Sequence, residues 1–394
     1  MTISVLPRPI LRTPIAARMP VLKVIGLGGG GCNAINRMIE LGISGVDYIA
    51  ANTDCQALNA TLAPVKIHLG PKSTRGLGAG GNPQMGEAAA EETYSELNDA
   101  LAGADMIFLT AGMGGGTGTG SIPVAARVAR ATGAVVVAIV TTPFSFEIGR
   151  RQQNAREGLA KLQPFADTLI TVPNDRLLQI ASRDLSLEMA FRLADDVLRQ
   201  GIQGISELIT QPGMINVDFA HIRHLMQNGG GAVLSIGVGQ GEDKALNAVE
   251  NAIRHPLLES INLENATGII ANFTGGNNLT FYEVTDALNY LQEQTNSSAE
   301  IIPGVINDER LGDRAQVILI VTGIGATPLD PHFSIKKPVQ QEILSPFIVT
   351  EPVKSSDVFS FTDEQTINPL PTMEPPNLPT DIDIPAFLRR RIRP

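Results

Sequence analysis

The chain has 394 residues, 43% of them hydrophobic, more than one core usually organises and enough for two folded units with tails. Its net charge of −10 excludes a general affinity for nucleic acid, and no apolar run reaches the roughly 20 residues needed to span a bilayer. Cys32 and Cys55 cannot form a disulfide framework and indicate a reducing compartment, while the 39 glycines cluster rather than repeat, which excludes a collagen-like chain.

Residues 1–20 carry Arg8, Arg12 and Arg18 and no acid, the composition of a transit peptide. Pro7, Pro9, Pro14 and Pro20 break any amphipathic helix there, so a disordered arm is expected. A strand over Val21–Leu27 runs into glycines, and Asn33–Leu41 has helical spacing. A strand at Asp47–Ala51, a helix at Ala88–Leu101, a strand at Ala104–Thr110 and a helix at Ile122–Ala131 follow. Then come a strand at Ala134–Thr141, a helix at Arg150–Leu162 and a strand at Thr168–Val172. This alternation predicts a parallel sheet covered on both faces, with ligands at the carboxyl ends of its strands.

Ser186–Thr210 is a long helical pattern stopped by Pro212 and Gly213, of a length that suits a connector. Beyond it, strands at Ala232–Gly239, Thr267–Thr274, Ala299–Ile306 and Ala315–Gly323 and helices at Asp243–Arg254 and Thr280–Glu293 make a smaller mixed α+β unit. Residues 327–379 are rich in Pro, Ser, Thr and acids without a period and read as a disordered linker. The last stretch, from Asp381, sets apolar anchors beside Arg389–Arg393. It reads either as a segment that folds on a partner's surface or as a solvated end.

Two glycine clusters carry the chemistry. Gly26–Gly31 lies between a strand and a helix, where main-chain N–H groups can approach phosphate oxygens. Alone it also fits the dinucleotide fingerprint through Gly26, Gly28 and Gly31, with Asp54 as the ribose acid. Gly112–Gly120 again lies between strand and helix, with Thr117 and Thr119 able to donate hydroxyls; a plain turn needs only one or two glycines. A third segment, Arg75–Asn82, can close over a terminal phosphate. No G-x-x-x-x-G-K-[ST] occurs, so neutralisation must come from backbone dipoles, a metal and an arginine.

Gly112–Gly120 resembles the tubulin signature loop, and residues 21–325 resemble the tubulin/FtsZ family of cell-division GTPases. Supporting stretches are Gly28–Asn36, Ala51–Asp54, Arg75–Pro83, Pro143–Arg151, Val172–Asp175 and Asn216–Ala220. The implied fold is α/β, with a Rossmann-like parallel-sheet GTP-binding domain at 21–185, a central helix at 186–211 and a C-terminal domain at 212–325. A disordered arm at 1–20, a linker at 326–380 and a partner-binding peptide at 381–394 complete it.

The resemblance implies GTP or GDP as ligand with Mg2+, and it names no metal ligand. Gly29, Gly30, Gly31, Cys32 and Asn33 line the first phosphate loop, and Gly115, Gly116, Thr117, Gly118 and Thr119 the signature loop. Ala79, Gly80 and Gly81 approach the γ-phosphate; Glu147, Arg151 and Asn174 serve ribose and phosphates. Phe191 stacks on guanine and Asp195 accepts from its N1–H and N2–H2 edge, which adenine lacks. Without the resemblance, Glu147 and Arg151, four apart, read as a helix-surface ion pair, and Phe191 as core packing. Asn216 and Asp218 match the loop that completes catalysis on the next subunit, so hydrolysis needs polymer. His221 stands where the family has an acid, and slow hydrolysis is expected because imidazole holds hard cations poorly.

The implied partners are other copies of the chain, head to tail, and membrane-tethering division proteins of the FtsA-, ZipA- or SepF-like kind. The latter would be bound through Asp383, Ile384, Pro385, Phe387, Leu388, Arg389 and Arg390. The implied place is a cytoplasmic mid-cell ring beneath the membrane, which the chain meets only indirectly. Cys32 is read as a small buried thiol rather than a redox switch. A polymerising GTP-binding scaffold with little hydrolysis and an NAD-dependent oxidoreductase are the competing readings.

Overall fold

The computed structural model describes residues 19–324 except 148, 180–184, 212, 214–216, 228–229, 259–261 and 296–298. Asn216, the linker, the C-terminal peptide and nearly all of the N-terminal arm lie outside the described residues.

The first half runs β1 (Leu22–Leu27), α1 (Gly28–Glu40), β2 (Asp47–Asn52), α2 (Cys55–Asn59), β3 (Val65–His68), α3 (Pro83–Glu92) and α4 (Tyr94–Leu101). It continues through β4 (Met106–Gly112), α5 (Thr117–Ala131), β5 (Val135–Thr142), α6 (Arg150–Leu162), β6 (Thr168–Pro173) and α7 (Asn174–Leu177). The 24-residue α8 (Leu187–Thr210) leads to α9 (Phe219–Gln227), β7 (Gly230–Gln240), α10 (Lys244–Ile253), β8 (Gly268–Gly275), α11 (Phe281–Gln294), β9 (Glu300–Asn307) and β10 (Arg314–Thr322).

All ten strands belong to one sheet, ordered β3-β2-β1-β4-β5-β6-β7-β10-β8-β9. The first six are parallel, in the order 3-2-1-4-5-6 of a doubly wound nucleotide fold, and direction of travel reverses between β1 and β4. The smaller mixed sheet expected beyond α8 is present, with β10 antiparallel to β7 and β8. It is joined edge to edge with the first sheet by pairing Thr168–Ile170 with Gly230–Ala232.

The parallel strands bury both faces, as their unbroken apolar runs require. Val24, Phe108 and Val137 face one way, against Ile35 and Met38 of α1 and Val197 and Ile202 of α8. Ile25, Leu109 and Val136 face the other way, against Ala90, Leu97, Ile122 and Leu162 of α3 to α6. α8 crosses both halves of the sheet, its Asn272 partner on β8 donating to the Gly204 carbonyl at 3.1 Å.

Two boundaries differ from expectation. The helix expected over Ala88–Leu101 is two helices divided at Thr93, whose hydroxyl donates back to the Ala89 carbonyl at 3.0 Å and competes with helix continuation. The helix expected from Asn33 begins at Gly28, so the glycines are its first turn rather than a loop before it.

α3 and α5 pack so closely that a Cβ at Gly120 would fall on the Pro83 carbonyl. Gly120→Ala should therefore destabilise the protein by about 1–3 kcal/mol through overpacking, although alanine favours a helix by roughly 1 kcal/mol. Urea unfolding of the two proteins measures the sign, and a stabilised variant would refute this packing.

Candidate nucleotide-binding site

The two glycine clusters follow β1 and β4, the neighbours at the switch point. Neither helix that begins there, α1 or α5, has a side-chain cap, whereas Asp54, Asn82, Ser186 and Thr280 cap α2, α3, α8 and α11. Four leading N–H groups of each helix lack intrahelical acceptors, so two positive helix ends converge on one spot. An anion is the chemical complement of that arrangement.

The clusters are also seated on each other. A Cβ at Gly28, whose φ is +69°, would lie 2.8 Å from the Gly118 nitrogen. The third segment joins them, since a Cβ at Gly116 would lie 2.8 Å from the Asn82 nitrogen. Gly29, Gly80, Gly81 and Gly115 face open space instead. Backbone thus forms the wall, and the volume that side chains would occupy is left for a ligand. Of the other residues expected here, Gly31, Cys32, Gly118 and Ala79 are buried, Gly30 is partly buried, and Asn33, next along α1, is exposed.

Side chains brace this wall. Thr119, expected to donate to phosphate, is 2% exposed, and its hydroxyl accepts from the Gly114 N–H at 2.8 Å. Thr117 reaches the Thr53 hydroxyl at 2.6 Å. Asn154 of α6 donates to the carbonyls of Gly114 at 3.1 Å and Gly81 at 3.5 Å, tying the second and third segments together. Thr53 and Asn154 carry no sequence signal of this role, because only the fold brings them to the loops. Burial pushes the Cys32 thiol up to about 12, which makes it the inert small residue expected.

The residues expected at the base and ribose lie at the ends of β5 and β6 and in the first turns of α8. Phe191 is 39% exposed, edge-on to buried Phe144 at 5.4 Å, and Phe146 stacks on Phe144 at 5.0 Å. Phe146 is the aromatic that sequence reasoning missed; its spacing of two from Phe144 was the available signal. Asn174 is buried and its Oδ1 has no partner among the described residues, an acceptor that a ligand hydroxyl would satisfy. Glu147 accepts from the Phe144 N–H at 2.9 Å and pairs with Arg151, so the i,i+4 ion pair is present. Burial pushes the Asp195 carboxyl up to about 7, against the opposing pull of Arg37. Asp54, weighed as a dinucleotide ribose acid, accepts instead from the N–H groups of Gln56 and Ala57 as the cap of α2.

Asp218 and His221 do not join this group. Both are exposed, at the start of α9, and Asp218 accepts from the Ala220 N–H at 3.0 Å. The other end of α9 is fixed where Thr168, the first residue of β6, donates to the Met226 carbonyl at 2.5 Å. That is the amino edge of the sheet, opposite the glycine loops. No group of three or more His, Cys, Asp or Glu residues is arranged to hold a metal among the described residues. Nor is any described helix long and apolar enough to cross a membrane.

A doubly wound sheet whose switch point offers main-chain donors and no P-loop lysine defines a nucleotide-phosphate-binding protein. The GTPase domain of the Tubulin/FtsZ family matches residues 21–182, and the FtsZ family C-terminal domain matches residues 230–325. An empty FtsZ dimer from M. jannaschii is 40% identical, with 81% of this chain and 96% of that one covered and a TM-score of 0.76. A mutant of M. jannaschii FtsZ is 43% identical over 78% and 92% of the two chains, with a TM-score of 0.75. A GTPgS-bound protofilament of CetZ2 from Haloferax volcanii shares the fold at 22% identity, covering 78% and 94%, with a TM-score of 0.67. The chain belongs to the tubulin/FtsZ family of GTPases, whose ligands are GTP and GDP.

Thr119→Val keeps the shape of residue 119 but leaves the buried Gly114 N–H unpaired. It should cost about 1–3 kcal/mol in stability and weaken GTP binding, while Thr119→Ser should behave as wild type. Unfolding and nucleotide titrations of both variants check the brace.

Proposed function

We propose that this chain is a filament-forming cell-division GTPase that binds GTP in the glycine cradle and hydrolyses it only between consecutive subunits. One observation carries this reading: α8 leads away from the cradle to the amino edge, where Thr210 lies against Gly45 just ahead of β2, and Asp218 follows at the head of α9, whose other end is held at that same edge. Within one chain Asp218 does not reach the nucleotide, but head-to-tail stacking sets it against the neighbour's γ-phosphate. Such heterologous contacts extend as open polymers.

In this reading the main-chain N–H groups of Gly29–Asn33 and Gly115–Thr119 hold the phosphates, and Ala79, Gly80 and Gly81 close on the γ-phosphate. Glu147, Arg151 and Asn174 hold the ribose side, with Phe191 and Asp195 on guanine. Asp218, with Asn216, orients the attacking water. Mg2+ enters with the nucleotide, neutralising its phosphates. The reading places the filament in the cytoplasm at the mid-cell septal ring. There Asp383–Arg390 would engage FtsA-, ZipA- or SepF-like tethers, and the membrane is met only through them.

His221 slows the reaction, because an imidazole, a poor ligand for hard cations, replaces a second acid near Asp218. It also favours a second reading, a GTP-dependent scaffold that polymerises with almost no hydrolysis. Steady-state phosphate release alongside sedimentation separates the two. Asp218→Asn should lower turnover roughly a hundredfold or more without loss of GTP-dependent assembly. His221→Asp should raise it by about tenfold. Equal turnover in wild type and His221→Asp would refute the role given to His221, and phosphate release by monomers at full rate would refute the shared site.

A further inference from the structure

Asp195 lies on α8 with its side chain 14% exposed, and the cation facing it is Arg37 of α1, Nε to Oδ2 3.8 Å. Arg37 is itself 28% exposed, so the pair is largely shielded from solvent screening. Arg37 sits on the same helix whose first turn forms half of the phosphate cradle. One rigid element therefore connects the phosphate grip to the group that would read the base.

Among the described residues the surroundings leave this work to Arg37. Asp196, the next residue, accepts from Arg199 Nε at 2.6 Å and Gln200 at 2.5 Å, and the charge of Arg37 reaches it as well. On α1, Glu40 is exposed. On α7, Asp175 accepts from the Ser145 N–H and Arg176 donates to the Pro256 carbonyl. Burial and the charge of Asp196 both favour a neutral Asp195, and Arg37 opposes them.

We propose that Arg37 is a positioning residue for base recognition, holding the Asp195 carboxylate charged and aimed at the donor edge of guanine. The inference rests on the reading of Asp195 as the guanine acceptor. A carboxylate accepts two hydrogen bonds from N1–H and N2–H2, whereas a protonated carboxyl presents its own O–H to a donor. With the carboxyl pushed up to about 7, ionisation of the free site is half complete near neutral pH. The bound base stabilises the charged form. GTP affinity therefore rises with pH through about 7 and levels off above it, and loss of the Arg37 charge moves that rise to higher pH.

The test is GTP titration of the nucleotide-free full-length chain, below its assembly concentration, between pH 5.5 and 9. Wild type is compared with Arg37→Met, Arg37→Gln, Arg37→Lys and Asp195→Asn, each with an unfolding curve. Protonation of the nucleotide's own phosphate is common to every protein, so the readout is the displacement between profiles. Arg37→Met and Arg37→Gln should shift the profile up by about one pH unit, which makes binding at pH 7 about five- to tenfold weaker yet nearly wild-type at pH 9. Arg37→Lys should overlie wild type. A loss in Arg37→Met and Arg37→Gln that is the same at every pH, or no loss at all, would overturn the role of Arg37. If Asp195→Asn binds GTP as wild type does, the base-reading assignment itself falls. If it abolishes binding while the Arg37 profiles coincide with wild type, only the inference about Arg37 falls.

Discussion

Gly28 seated on Gly118 is the contact on which the rest of the molecule depends. It lets two helices begin side by side at the ends of adjacent parallel strands, with their leading N–H groups directed at one place. Any side chain at the interface would push the helices apart and disperse the positive potential. Thr53, Thr119 and Asn154 then act as struts behind the surface: each binds a loop group, and none needs to touch a ligand. Where a P-loop would bring a lysine, the N-termini of α1 and α5 present peptide dipoles.

The second constraint is the length of α8. At 24 residues it spans about 36 Å, carrying Phe191 and Asp195 near its start and delivering the chain toward α9 at its end. The short pairing of β6 with β7 fuses both halves of the sheet, so the carboxyl edge and the amino edge belong to one body. A site at one edge and an exposed acid at the other give the subunit a polarity before any partner arrives.

Much of this was legible in the sequence because it depends on local rules. Strand–helix alternation announced the parallel sheet, and two glycine clusters between strand and helix announced a cradle at its carboxyl edge. What the pattern did not reveal falls into two kinds. β3, α2, α7 and α9 have from four to nine residues, too short for a period to emerge. Arg37, Thr53 and Asn154 owe their place to tertiary contact, and nothing in their local spacing separates them from ordinary surface residues. Asp54 shows the opposite error: its distance from the first glycine cluster suits a ribose acid, yet its carboxylate is spent on the first turn of α2. The ion pair of Glu147 and Arg151 was readable either as surface chemistry or as part of the site, and four-residue spacing alone does not decide between them.

A cradle built from main chain has an evolutionary corollary. Truncating a side chain cannot delete a peptide N–H, so removal of a key functional group, the usual route by which mutation erases a binding site, is closed at the cradle itself. Damage to the cradle must arrive as added bulk at a glycine or as a broken strut, so selection at these glycines is selection against gaining atoms.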